Sequence, residues 1–134
     1  MSIKQLEEIA QAMVAPGKGI IAIDESTNTI KRRFEAVGVE CTEENRRAYR
    51  EMLLTTPKLG EHISGAILFD ETLRQSTKTG VPFPKVMSDA GIIPGIKVDM
   101  STHELAGFPG ELITAGLDGL RERLAEYSKL GAKF

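Results

Sequence analysis

Three short apolar runs, each closing on a cluster of polar side chains, restrict the folds open to this chain. Lys18 to Ile23 leads into Asp24-Glu25-Ser26-Thr27, Gly65 to Phe69 into Asp70-Glu71-Thr72, and Ile92 to Ile96 into Lys97-Val98-Asp99. Runs of this length that do not alternate apolar with polar residues suit strands covered on both faces, the condition in a parallel sheet. Stretches of helical periodicity separate them, so the order strand, helices, strand, helix, strand, loop, helix predicts the βα units of an α/β domain. Such folds carry their chemistry at the carboxyl ends of the strands, and the three polar clusters are expected to meet on one rim.

Punctuation sharpens this outline. Ser2 with Gln5 has the form of a capping box ahead of Ile3, Leu6, Ile9, Ala10 and Met13, which predicts an amphipathic opening helix that Pro16-Gly17 stops. A second helix is expected over residues 29–36, closing at Gly38. Thr42 suits the N-cap of a third, with Glu43 and Glu44 at its positive end and Tyr49, Met52 and Leu53 as its apolar stripe. Lys85 to Asp89 predicts a short helix before the third strand. Pro94 has no amide hydrogen to give a ladder, so pairing is expected to start at Gly95 or to skirt the proline. Gly107, Pro109 and Gly110 predict a long loop with a short hairpin, and Leu117, Leu120, Leu124, Tyr127 and Leu130 form one face of a last helix. No repeat, low-complexity segment or linker divides the chain, so residues 1–134 read as a single domain.

Composition excludes several functions. A net charge of −2, with Lys31-Arg32-Arg33 and Arg46-Arg47 as short clusters inside helical patterns, argues against a nucleic-acid partner. No stretch approaches the ~20 apolar residues that span a bilayer, and Met1 to Ala15 is amphipathic and contains acids, unlike a signal peptide, so a cytoplasmic protein with no membrane partner is expected. The lone Cys41 cannot form an internal disulfide, in keeping with a reducing compartment, and no histidine stands beside it to make it a nucleophile. His62 and His103 are far apart and outside any zinc-ligand spacing, so no metal is expected. Gly17-x-Gly19 lacks a third glycine and precedes its strand, which removes the dinucleotide fingerprint and leaves no cofactor expected.

Asp24 is the leading candidate for chemistry, since a carboxylate at the end of a buried strand is placed for proton transfer. An acid there can equally bond backbone amides of the following turn. Ser26 and Thr29, hydroxyls at a helix start, suit either an N-cap or a phosphate. Lys97 is a strand-end cation that could hold an anion or simply be solvated, and the same choice applies to Arg33 on its helix.

The segments PGKGIIAIDEST (16–27), TEENRRAYREMLLTT (42–56), SGAILFDETL (64–73), GIKVD (95–99) and AGLDGL (115–120) occur in an order and at a spacing that resemble class I fructose-bisphosphate aldolase, the Schiff-base type, over nearly the whole chain. The resemblance implies a TIM (β/α)8 barrel, of which 1–134 covers about the first three βα units. It implies a cytoplasmic lyase of glycolysis and gluconeogenesis that reversibly cleaves fructose 1,6-bisphosphate to dihydroxyacetone phosphate and glyceraldehyde 3-phosphate, with a homotetramer as the full-length form. An iminium on a lysine serves as electron sink in this class, so no metal is required.

By the same resemblance, Asp24 stands where the family contacts the substrate hydroxyl beside the bond that breaks and manages protons. Ser26 and Thr29, the latter often serine in relatives, stand where a terminal phosphate of the sugar is held, Lys97 matches a phosphate-binding lysine, and Arg33 approaches that phosphate region. The family's Schiff-base lysine, a second lysine and a glutamate lie on later strands and match nothing here. The chain alone is therefore expected to be inactive, with Ile21, Ile23, Ile67 and Phe69 lacking an inner partner. The other reading is a non-catalytic module that binds a sugar phosphate or pairs with another subunit. Asn28 replaces a glycine frequent in relatives, a change that Asn's tolerance of left-handed turns makes mild, and Pro109-Gly110-Glu111-Leu112-Ile113-Thr114 replaces their usual Asn-Gly-Glu-Thr-Thr-Thr.

Overall fold

The computed structural model describes residues 2–134; Met1, the first residue of the amphipathic stretch, lies outside the described residues. Helix α1 (Ile3–Met13) begins with the expected capping box, the Gln5 amide donating to Ser2 Oγ at 3.3 Å and the Ser2 amide to Gln5 Oε1 at 2.7 Å. Strand β1 (Gly19–Ile23) follows, then helices α2 (Thr27–Glu35), α3 (Glu43–Leu54) and the single turn α4 (Leu59–His62). Strand β2 (Ile63–Leu68) leads into α5 (Asp70–Arg74) and α6 (Phe83–Asp89), and strand β3 (Ile93–Ile96) into a hairpin of β4 (Thr102–Glu104) and β5 (Leu112–Thr114) before helix α7 (Leu120–Leu130).

The main sheet has the order β1-β2-β3 with both pairs parallel, and β4-β5 is a separate antiparallel ribbon. The core lies between one face of this sheet and the helices. Ile23, Ala66, Leu68 and Ile96 from the strands pack with Leu54, Leu73, Phe83, Met87 and Tyr127 from the helices. The pairing Ile21↔Ala66 and Ile23↔Leu68 puts Ile21 and Ile23 on the helix side. The expectation that they lack a partner is therefore corrected. The residues that face away from the helices alternate with them: Ile20, Ala22, Gly65, Ile67, Ile93 and Gly95. Ile20 remains 41% exposed on this side.

Pro94 sits inside the ladder opposite Ala66, not outside it as expected. The pleat explains this. Successive residues of a strand turn their backbone polar groups to opposite edges, and Lys97, three residues on, donates its amide to Leu68 of β2 at 2.9 Å. Pro94 points the other way, its carbonyl accepting from the Lys133 amide at 2.8 Å, so no bond to β2 is forfeited. Ile96 donates to the Phe134 carbonyl at 3.0 Å, and the end of the chain thus runs along the outer edge of β3. The Phe134 ring lies over Gly65 and Gly95, where a Cβ would come within 3.0 Å and 2.6 Å of ring carbons.

Two predicted apolar stripes are displaced. On α3 the buried residues are Arg50 and Leu54, while Met52 is 60% exposed. On α7 only Tyr127 is buried; Leu117 precedes the helix and is exposed, and Leu124 and Leu130 are partly exposed. In both helices an arginine with carboxylate or carbonyl partners takes part of the inward face.

Candidate active site

At the carboxyl end of the sheet, β1 stops at Ile23 and the backbone turns through Asp24 and Glu25 into α2. Ser26 is the N-cap residue, its carbonyl accepting from the Ile30 amide at 3.0 Å, yet its hydroxyl makes no capping bond. That hydroxyl meets Thr29 Oγ1 at 3.3 Å instead. Helix α2 starts at Thr27, two residues earlier than expected, so Thr29 belongs to its first turn. The two hydroxyls form a pair on the helix end, where free amides and the dipole favour an anion.

Glu25 is held differently from Asp24. Arg50 donates through Nη1 to Glu25 Oε2 at 2.6 Å, through Nη2 to the Glu25 carbonyl at 2.9 Å, and through Nε to Thr72 Oγ1 at 3.3 Å. Arg33 pairs with the other carboxylate oxygen. The Arg50 side chain is 4% exposed, so one buried guanidinium ties the β1–α2 turn to α3 and α5.

The third strand supplies Lys97, which pairs with Asp99. The other oxygen of Asp99 accepts the Ser101 amide at 3.1 Å. The Lys97 ammonium holds the Asp99 carboxyl below the usual aspartate range. Ser101 occupies the left-handed region at φ +68°, a conformation that favours glycine and marks local strain. Arg123 of α7 braces this corner, donating to the Val98 carbonyl at 2.9 Å and to the Gly116 carbonyl at 2.5 Å.

Asp24, Glu25, Ser26, Thr29, Lys97, Asp99, Ser101 and Thr102 together line a cavity of about 290 Å³. Four of the sequence candidates, Asp24, Ser26, Thr29 and Lys97, thus come together. Arg33 does not join them; besides its bond to Glu25 it lines a separate groove between α2 and α3 with Phe34 and Tyr49. The three polar clusters all lie at the carboxyl end of the parallel sheet, but the one after β2 does not line the cavity. Its side chains are bonded elsewhere: Asp70 to Arg74 within α5, Glu71 to Arg46 of α3 at 2.7 and 2.8 Å, and Thr72 to Arg50 of α3. The cations around Asp24 are likewise engaged with other acids, Arg33 and Arg50 with Glu25 and Lys97 with Asp99.

Residues 5–134 match the family model for class I fructose-bisphosphate aldolase. The chain belongs to this family. It is 75% identical, over all 134 residues, to the probable fructose-bisphosphate aldolase class 1 of Xanthomonas campestris pv. campestris, and 54% identical over 133 residues to the fructose-bisphosphate aldolase of Echinococcus multilocularis. It spans 40% and 37% of those two proteins. A co-crystal structure of fructose-bisphosphate aldolase from Plasmodium falciparum, in complex with TRAP and a small-molecule inhibitor, matches with a TM-score of 0.95 at 50% identity, over 98% of this chain and 38% of that one.

Against this aldolase background, the two departures noted in the sequence have simple local outcomes. Asn28 lies within α2 and has no positive φ, so the tolerance of Asn for left-handed turns is not called upon. Leu112 and Ile113 lie on β5, 61% and 48% exposed, opposite Glu104 and His103. Sequence reasoning places Glu25 and Asp99 in the strand-end clusters without giving them a role, and it misses Arg50, Ser101 and Thr102. Arg50 is foreshadowed by its place four residues before the buried Leu54, a charged residue on an inward helical face that needs a buried acid. Asp99 follows Lys97 by two residues, which sets both on one side of an extended segment. No local signal distinguishes Ser101 and Thr102 from ordinary loop residues.

Among the described residues, no helix is long and apolar enough to cross a membrane, and no group of three or more His, Cys, Asp or Glu could hold a metal ion.

Proposed function

We propose that these 134 residues supply the first three βα units of a (β/α)8 aldolase barrel, one domain with the remainder of the barrel, and that the complete protein reversibly cleaves fructose 1,6-bisphosphate. On this reading Asp24 manages protons at the substrate hydroxyl next to the scissile bond, while Ser26, Thr29 and Lys97 hold a terminal phosphate. An iminium on a lysine of a later strand accepts the electron pair released by carbon–carbon cleavage. The observation that carries the proposal is the cavity at the carboxyl end of the sheet in which the Asp24 carboxylate, the Ser26 and Thr29 hydroxyls at the start of α2 and the Lys97 ammonium converge. Family membership supports the same reaction class. The protein acts in the cytoplasm on a sugar phosphate and, at full length, as a homotetramer.

Arg33, bonded to Glu25 and outside this cavity, serves on this reading as an outer brace of the turn. The 134-residue chain by itself does not form the iminium. Borohydride trapping with dihydroxyacetone phosphate tests this: the chain takes up no covalent label, and a chain continued through the missing strands takes up one. Labelling of Lys97 in the short chain refutes the assignment of roles. Absence of label in both chains favours a non-catalytic sugar-phosphate module.

A further inference from the structure

The cavity holds its cation in a bound state. Lys97 contributes the one ammonium among its lining residues, and that ammonium is already paired with Asp99. The single charge of Glu25 is met by Arg33 and Arg50, neither of which lines the cavity, so the acids left facing it are Asp24 and Asp99. With Lys97 on Asp99, no lining cation is free to meet an incoming phosphate, and Asp24 is the lining acid without a cation. With Lys97 turned toward the hydroxyls of Ser26 and Thr29, an ammonium and a helix start converge on the same point.

We infer that Asp99 is an internal competitor for the anion: its carboxylate occupies Lys97 when the cavity is empty, a phosphoryl group must displace it, and Asp99 thereby sets phosphate affinity. The inference rests on the proposed role of Lys97 and adds a specificity-determining residue to it. Its geometry is asymmetric. One Asp99 oxygen binds Lys97 and the other the Ser101 amide, so the carboxylate keeps a backbone partner after releasing the lysine. The Val98 carbonyl between the two side chains accepts from Arg123, which anchors the backbone that carries them. The Lys97 ammonium holds the Asp99 carboxyl below the usual aspartate range, so it stays charged, and able to compete, throughout the neutral range. The other charged groups facing the pair are Asp24 and Glu25 on the β1–α2 turn.

Inorganic phosphate is the probe, titrated into the 134-residue protein with backbone amide and Asp carboxyl resonances followed by NMR. Asp99→Asn retains an acceptor for the Ser101 amide and removes the charge; it is expected to tighten phosphate about tenfold, and Lys97→Met added to it is expected to abolish that gain. A folded Asp99→Asn protein that binds no more tightly than the parent overturns the competition. In the unmutated protein, saturation with phosphate shifts the Asp99 carboxyl resonance, and an unmoved resonance at saturation, or no saturation by phosphate at all, overturns it independently of any variant. If Lys97→Met alone leaves phosphate affinity unchanged, the phosphate role of Lys97 fails and the competition fails with it. If Lys97→Met weakens binding and Asp99→Asn does nothing, only the competition fails.

Discussion

Asp24 and Glu25 are adjacent acids that both line the cavity, but only Glu25 is clamped by two arginines. Their difference comes from Arg50, which reaches the turn from α3. Removing one partner of a buried pair strands the other, and Arg50→Ala is expected to lower stability by about 3 kcal/mol, the low end of the usual cost because Arg33 still meets Glu25. Urea unfolding monitored by circular dichroism measures it. In an aldolase chain that includes the Schiff-base lysine, Asp24→Ala is expected to lower kcat about 100- to 10,000-fold, the range for loss of a general acid or base. Lys97→Ala is expected to act mainly on KM, and steady-state kinetics on fructose 1,6-bisphosphate separate the two. The members of the cavity were largely legible in the sequence because strand ends and helix starts are local features. Their commitments were not. The helical position of Arg50 calls for a buried acid without saying that it is Glu25, 25 residues away, and the two-residue step from Lys97 to Asp99 allows their pairing without fixing it.

Elements contribute through how closely they approach. The turn α4 lies against the end of α6, and a Cβ on Gly60 would stand 1.8 Å from the Ala90 carbonyl oxygen. Backbone must move to admit it, so Gly60→Ala is expected to cost about 3 kcal/mol or more, read as a fall in the urea midpoint. Helices α5 and α7 are joined by Arg74, which bonds both Asp70, at 3.0 Å, and Glu126, at 2.6 and 3.0 Å. Bonds from Arg74, and then from Tyr127, hold the Asp70 carboxyl below its ordinary range. A carboxyl lowered in the folded state stabilises the fold above its unfolded value, about 3.9 for Asp, and that contribution disappears as pH falls through the lower folded value. The urea midpoint of the parent is therefore expected to exceed that of Arg74→Met at pH 7, and the gap to narrow as pH falls below about 3.9 and through the lower folded value. Element types followed from periodicity and capping, but the orientation of β1 did not. An apolar run carries no mark of which face meets the helices, and only pairing with β2 assigns Ile21 and Ile23 to the core.

At the scale of the molecule, one face of the sheet is covered by helices and the other by the Phe134 ring over two glycines. Ile20 and Ala22 of β1 are exposed beside that ring. Bare apolar strand surface binds hydrophobic dyes and favours association. The 134-residue chain is accordingly expected to enhance the fluorescence of an anilinonaphthalene dye, and Phe134→Ala to enhance it further; a sharp cooperative melt of a dye-silent monomer counts against this.

The strand order β1-β2-β3 follows the order of the chain. Each strand joins at the edge its predecessor leaves open, and none inserts between two already made. During synthesis, the template for every incoming strand is therefore complete before that strand emerges from the ribosome. Assembly of the sheet can keep pace with translation.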